Sequence, residues 1–149
     1  MDEHRVTLTW ARDGAFERGN YRTSHELGFE GGQKLGASAA ASYGGDPALA
    51  DPEQMLAAAL SSCHMLTFLA VAANRRLVVE RYEDDASAVL GKNADGRTFV
   101  TRVTLRPRIR FGGEPVPGHE DIAKLHERAH QACFIANSVR TEVAIEPRD

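Results

Sequence analysis

The sequence predicts an α+β fold built on mainly antiparallel sheet, and three observations predict it. Hydrophobic residues alternate near the N-terminus, a long apolar stretch from Met55 to Ala73 follows a strong helix start, and Asp95-Gly96 separates two strand-like runs. The 149 residues carry 18 Lys and Arg against 21 Asp and Glu, a net charge of −3, and 42% are hydrophobic. These values suit one compact domain over residues 1–149, long enough to bury roughly 70% of its unfolded surface without disulfide staples. The mildly acidic balance argues against a nucleic-acid protein, which needs concentrated positive charge. The charged start Met1-Asp2-Glu3-His4-Arg5 lacks the apolar core of a secretory signal, so a cytoplasmic location with reduced thiols is expected. Ser61, Ser62 and His64 make the long apolar run a poor membrane span.

In chain order, Val6, Leu8 and Trp10 alternate with Thr7, Thr9 and Ala11 in the period of a half-buried strand. Arg12-Asp13-Gly14 reads as a turn, Phe16 to Thr23 as a second strand and Leu27 to Phe29 as a third. Gly31 to Asp46 has no sustained period and reads as a loop, and its Gly31–Gly45 portion is a candidate gate. Asp51-Pro52-Glu53-Gln54 combines an N-cap Asp, a first-turn Pro and Glu, and a Gln placed to close a capping box. The helix should run to about Asn74, and its all-round apolarity predicts burial on every face as the spine of the core.

A strand follows over Leu77 to Leu90, and its return strand carries Phe99, Val103, Leu105, Ile109 and Phe111 on one face, with Pro107 at a bulge or edge. Arg102, Thr104, Arg106, Arg108 and Arg110 form the other face. It is read as a solvated row balanced by Glu80, Glu83, Asp84 and Asp85 rather than as an anion site. A second helix from about Glu120 places Ile122, Leu125, Ala129 and Ala132 or Cys133 on an apolar stripe, and Thr141 to Ile145 is the last strand.

The two cysteines, Cys63 and Cys133, lie on apolar helical stretches. They permit a redox pair if both helices pack on the same sheet, and they equally suit two inert core thiols, since free Cys is among the most buried residue types. His126, His130 and Cys133 are spaced to project from one helix face, with His64 as a fourth donor, so a transition-metal site is a further reading. No serine elbow, P-loop, dinucleotide glycine motif or HExxH is present, which leaves thiol chemistry.

The stretch Asp51-Pro52-Glu53-Gln54-Met55-Leu56-Ala57-Ala58-Ala59-Leu60-Ser61-Ser62-Cys63-His64 resembles the cysteine-bearing helix of the OsmC/Ohr family, the osmotically inducible and organic hydroperoxide resistance proteins. Ala129-His130-Gln131-Ala132-Cys133-Phe134-Ile135-Ala136-Asn137-Ser138-Val139 resembles that family's second-cysteine segment, in a Cys-Phe rather than a Cys-Pro form. The resemblance implies an OsmC-like α+β fold with a long buried central helix, assembled as an intertwined homodimer. It implies a cysteine-based peroxidase for organic hydroperoxides, recycled by a lipoyl-type dithiol, with no cofactor and no resident metal. By position, Cys63 would be the peroxidatic cysteine, Cys133 the resolving one, Glu53 the carboxylate holding the catalytic arginine, and Arg18 that arginine, with Arg22 and Arg12 as alternatives.

The chemistry is coherent. A thiolate attacks peroxide, burial disfavours it, and a guanidinium steadied by a carboxylate favours it. The rise from Glu53 to Cys63 along one helix is ~15 Å, so Glu53 is expected to complete the site of the other subunit. The rival readings are a module binding a hydrophobic ligand and the His/Cys metal protein.

Overall fold

The computed structural model describes residues 1–149, which divide into two compact units, Met1–Met55 and Leu56–Asp149. In the first unit, β1 (Val6–Thr9) pairs antiparallel with β4 (His25–Phe29), which pairs antiparallel with β5 (Lys34–Ala37). Between them, β2 (Phe16–Glu17) and β3 (Asn20–Tyr21) form a small hairpin. The single strand expected over Phe16–Thr23 is thus two, because the chain reverses at Arg18-Gly19, where Gly19 takes a left-handed φ of 73°. β5 falls within the stretch expected to be loop. Lys-Leu-Gly-Ala offers one large apolar side chain, too little for a period-2 signal, and β4 supplies the pairing that defines the strand.

The rest of that glycine-rich stretch is cross-tied. Buried Ser38 accepts the Asp46 N–H (2.8 Å) through its hydroxyl, which donates to the Ala39 carbonyl (2.7 Å). A Cβ on Gly45 would run into that same carbonyl, so only glycine fits there.

The helix α1 (Pro52–Asn74) starts on the expected capping box. The Gln54 N–H donates to Asp51 Oδ1 (2.8 Å), and the Asp51 N–H donates back to Gln54 Oε1 (3.0 Å), satisfying two otherwise orphaned donors. Within the chain, α1 buries one stripe, Ala57, Leu60, His64, Phe68 and Ala72, at helical spacing. Burial on every face is not observed: Leu66 is 59% exposed, because no element of the chain packs on that flank.

In the second unit, β6 (Val78–Asp84) pairs antiparallel with β9 (Pro107–Gly112), and β7 (Ser87–Lys92) with β8 (Thr98–Leu105). β10 (Glu142–Ile145) adds to β8 in parallel. The long strands expected over Leu77–Leu90 and Phe99–Phe111 are each broken, at Asp85-Ala86 and at Arg106. Asp84 pins the break: Oδ1 accepts the Arg106 N–H (2.6 Å), and Oδ2 accepts the Ser61 hydroxyl of α1. Pro107, which has no N–H to give a ladder, opens β9.

Arg102, Arg108 and Arg110 of the row are exposed, and Arg110 lies 3.5 Å from Glu80, whereas Glu83 pairs with Arg81 of its own strand (2.7 Å); exposed pairs of this kind contribute about 0–1 kcal/mol. Thr104 departs from it and is buried. Two apolar clusters form the interior. Ala57, Leu60, Val103 and Leu105 pack with Ile135, Val139 and Ile145, while Phe68, Ala72, Leu125 and Ala129 pack with Tyr82, Ile109 and Phe111. Each fully buried Leu or Phe is worth about 1.5–3 kcal/mol of transfer free energy. The second helix, α2 (His119–Ala132), contributes Leu125 and Ala129 to this interior as expected.

Candidate functional site

Cys63 sits mid-way along α1 and is half-buried; the Thr67 hydroxyl, one turn on, donates to the Cys63 carbonyl at 2.8 Å. Cys133 is buried at the end of α2, where its N–H makes a last helical bond to the His130 carbonyl (3.3 Å) and the backbone turns extended, φ −72° and ψ 114°. Both thiols are free, and each bears on the ionisation of the other.

The two sulfurs are inequivalent. Burial raises the pKa of Cys63, but the Cys133 S–H, the backbone N–H groups of Ile135 and Phe134, and the neighbouring Thr67 hydroxyl together hold it below the usual thiol value. Cys133 moves the other way. Burial pushes it up, its role as donor to Cys63 adds to that, and the Ala136 N–H, 3.5 Å from its sulfur, offsets only part. The arrangement favours one thiolate, at Cys63, facing one thiol, at Cys133.

Within Leu56–Asp149 no charged side chain takes part in lowering Cys63. The candidate arginines belong to the first unit. Arg18 lies exposed in the turn between β2 and β3 without a hydrogen-bond partner. Arg12 donates to the Gly14 carbonyl (2.9 Å), and Arg22 Nε to the Ser24 hydroxyl (2.9 Å). Glu53 is half-buried in the first turn of α1, with neither an ion pair nor a hydrogen bond.

The histidines do something the sequence reading missed. His64 Nε2 and His126 Nδ1 are 3.0 Å apart across the interior, their rings stacked with centroids 5.3 Å apart, and both residues are almost fully buried. Burial pushes each pKa down to about 4; the neighbouring His130 lowers His64 further while Asp84 opposes it, and His64 lowers His126 further. Both rings are therefore neutral near pH 7.

This corrects the metal reading. His126 is buried, and its Nδ1 and His64 Nε2 are engaged with each other. No three His, Cys, Asp or Glu side chains converge as a ligand set. The signal that was available is position: His64 and His126 fall on the buried stripes of their helices. The backbone donors at Phe134 and Ile135 leave no trace in residue type.

These features define a class, a two-helix α+β protein that holds an acidified thiol against a buried one. The family model for OsmC-like proteins matches residues 44–148, and the chain belongs to that family, the OsmC/Ohr family. It is 45% identical to an OsmC-like protein of unknown function from Vibrio cholerae O1 biovar eltor, with a TM-score of 0.95 over 99% of this chain and 100% of that one. Organic hydroperoxide resistance proteins of Elizabethkingia anophelis and Bacillus subtilis share the fold at 20% identity, with TM-scores of 0.73 and 0.72; 99% of this chain is covered in each case, and 94% and 98% of theirs. No curated protein sequence matches the chain.

Proposed function

We propose that the protein is a cysteine-based peroxidase that reduces organic hydroperoxides in the cytoplasm, residues 1–149 acting as one OsmC-like domain. One observation carries the reading: two free thiols that bear on each other's ionisation, Cys63 held below its usual pKa and the buried Cys133 held above it. In the reaction, the Cys63 thiolate attacks the terminal peroxide oxygen and the O–O bond breaks. The alkoxide leaves with a proton as ROH, and Cys63 becomes a sulfenic acid. The Cys133 thiol then attacks that sulfur, forming a Cys63–Cys133 disulfide and releasing water. An external dithiol of the lipoyl type returns both cysteines to thiols by exchange, itself becoming a disulfide. A resolving thiol that reaches the Cys63 sulfenic acid limits over-oxidation.

Arg18 is the arginine we assign to the peroxide, since its guanidinium is uncommitted whereas Arg12 and Arg22 are held locally. Glu53, likewise uncommitted, steadies that arginine from the other subunit of a homodimer. The named hydroperoxide resistance proteins that share the fold are consistent with this chemistry.

The test is the protein mass after one equivalent of cumene hydroperoxide. The intact chain should lose about 2 Da, with the Cys63 and Cys133 peptides joined. Cys63→Ser should abolish peroxide consumption, while Cys133→Ser should complete one turnover and stall. Equal consumption by the wild type and Cys63→Ser would overturn the reading and leave a hydrophobic-ligand module as its replacement.

A further inference from the structure

The two cysteine-bearing helices are joined by one side-chain hydrogen bond, between His64 Nε2 of α1 and His126 Nδ1 of α2, 3.0 Å apart. The proposed chemistry uses neither ring. α1 has a second polar tether, since its Ser61 hydroxyl donates to Asp84 of β6, but α2 has no other side-chain hydrogen bond or ion pair to a different helix or strand. The contacts around the pair are apolar: Phe68 and Ala72 of α1 cluster with Leu125 and Ala129 of α2, and the Phe68 ring lies 4.6 Å from that of His126, centroid to centroid. The turn after Cys133 is likewise held through Ile135, Ala136 and Val139.

Apolar burial is non-directional, so it presses α2 inward while tolerating a slide along α1. A hydrogen bond at 3.0 Å is met in one register, and a slide would leave two imidazoles buried without a partner. A single buried polar pair is a well-attested way to fix helix register. The cysteines sit on the elements so fixed. Cys63 immediately precedes His64, and Cys133, where α2 ends, follows His126 by two turns, roughly 10 Å. A slide of one turn moves a residue about 5.4 Å, whereas a disulfide needs Cα atoms about 4.4–6.8 Å apart, so such a slide takes closure out of range.

We infer that the His64–His126 pair is a register lock: it sets where α2 stops along α1, and so where Cys133 meets Cys63. Both histidines are then positioning residues for disulfide closure. The inference rests on the Cys63–Cys133 disulfide of the peroxidase reading, but its claim concerns helix placement, not the thiolate or the peroxide.

The experiment measures closure without peroxide, in a glutathione buffer. Oxidised glutathione accepts the two electrons, Cys63 and Cys133 give up their protons and join, and two reduced glutathione molecules leave. His64→Leu with His126→Leu removes both polar groups at once, a change that cores tolerate, and urea unfolding at neutral pH checks the fold. The folded double variant should show a closing constant lower by about tenfold or more. His126→Asn keeps an amide near the place of Nδ1, able to bond His64, and should recover most of the wild-type constant. An unchanged constant in the folded double variant, or a His126→Asn chain no better than that variant, would overturn the lock.

A measurement on the unaltered chain covers failure of the leucine pair to fold. The nitrogen–nitrogen coupling across the two rings, read by NMR, should persist from dithiol to disulfide, and a bond that breaks on closure would overturn the lock. So would a wild type that forms no Cys63–Cys133 disulfide at any glutathione ratio. A wild type that closes in glutathione with the expected loss in the leucine pair, yet leaves cumene hydroperoxide unreduced, would sink the peroxidase reading and leave the lock standing.

Discussion

The two units treat their apolar residues in opposite ways. In Leu56–Asp149, Leu60, Phe68, Val103, Leu105 and Leu125 are completely buried, and two helices and five strands converge on them. In Met1–Met55, Ala37 and Ser38 are the only buried residues, while Val6, Leu8 and Phe16 stand 56%, 62% and 63% exposed on short strands. The same alternation of apolar and polar residues thus has two outcomes. Where a helix of the same unit lies over the sheet, alternation becomes a core; where the unit has none to supply, its apolar residues stay at the unit's own surface. Surfaces of this kind mark interaction sites, and the proposed homodimer is the natural cover.

The largest test of this contrast is Phe68→Ala. Removing a fully buried ring that packs against Tyr82, Phe111 and His126 should cost about 3–5 kcal/mol, measured by urea unfolding. A loss below ~1 kcal/mol would mean that the second unit is no better packed than the first.

Next comes acid. His64 and His126 have folded pKa values of about 4 against 6.5 for the free side chain, so the unfolded chain binds more protons between those values. Their contribution is complete above about pH 6.5 and is lost as the pH falls through 4, on the order of 3 kcal/mol for each ring. His64→Leu with His126→Leu should flatten this part of the stability profile.

The smallest effect belongs to the first unit. Leu8→Ala should change stability by less than ~0.5 kcal/mol at high dilution. At high protein concentration it should lower a Tm that rises with concentration in the wild type, if a second copy covers that strand. A Tm independent of concentration would leave Leu8 simply exposed.

What the sequence made legible follows the same divide. The start of α1 was readable because Asp51 and Gln54 act on neighbouring backbone, and the hairpin around Asp95-Gly96 because its turn is local, with Gly96 at a φ of 75°. β5 was missed because β4 creates it, and the breaks at Asp85-Ala86 and Arg106 because their cause is Asp84, a residue distant in sequence from Arg106. Cys63 and Cys133 were found by residue type and by the segments around them. Their inequivalence was not, since it depends on burial and on N–H groups that every residue but proline carries. The pairing of His64 with His126 was not legible, because spacing along α2 says nothing about which neighbour faces it across the interior.

That pair has a property of its own. A neutral imidazole carries one proton, so whichever of His64 Nε2 and His126 Nδ1 donates, one of the outer nitrogens, His64 Nδ1 and His126 Nε2, is bare and the other protonated. Both outer nitrogens are buried without a partner. Reversing the polarity of the dyad requires both rings to change tautomer together, so between the two cysteine-bearing helices the interior has a direction, with two settings and no neutral midpoint.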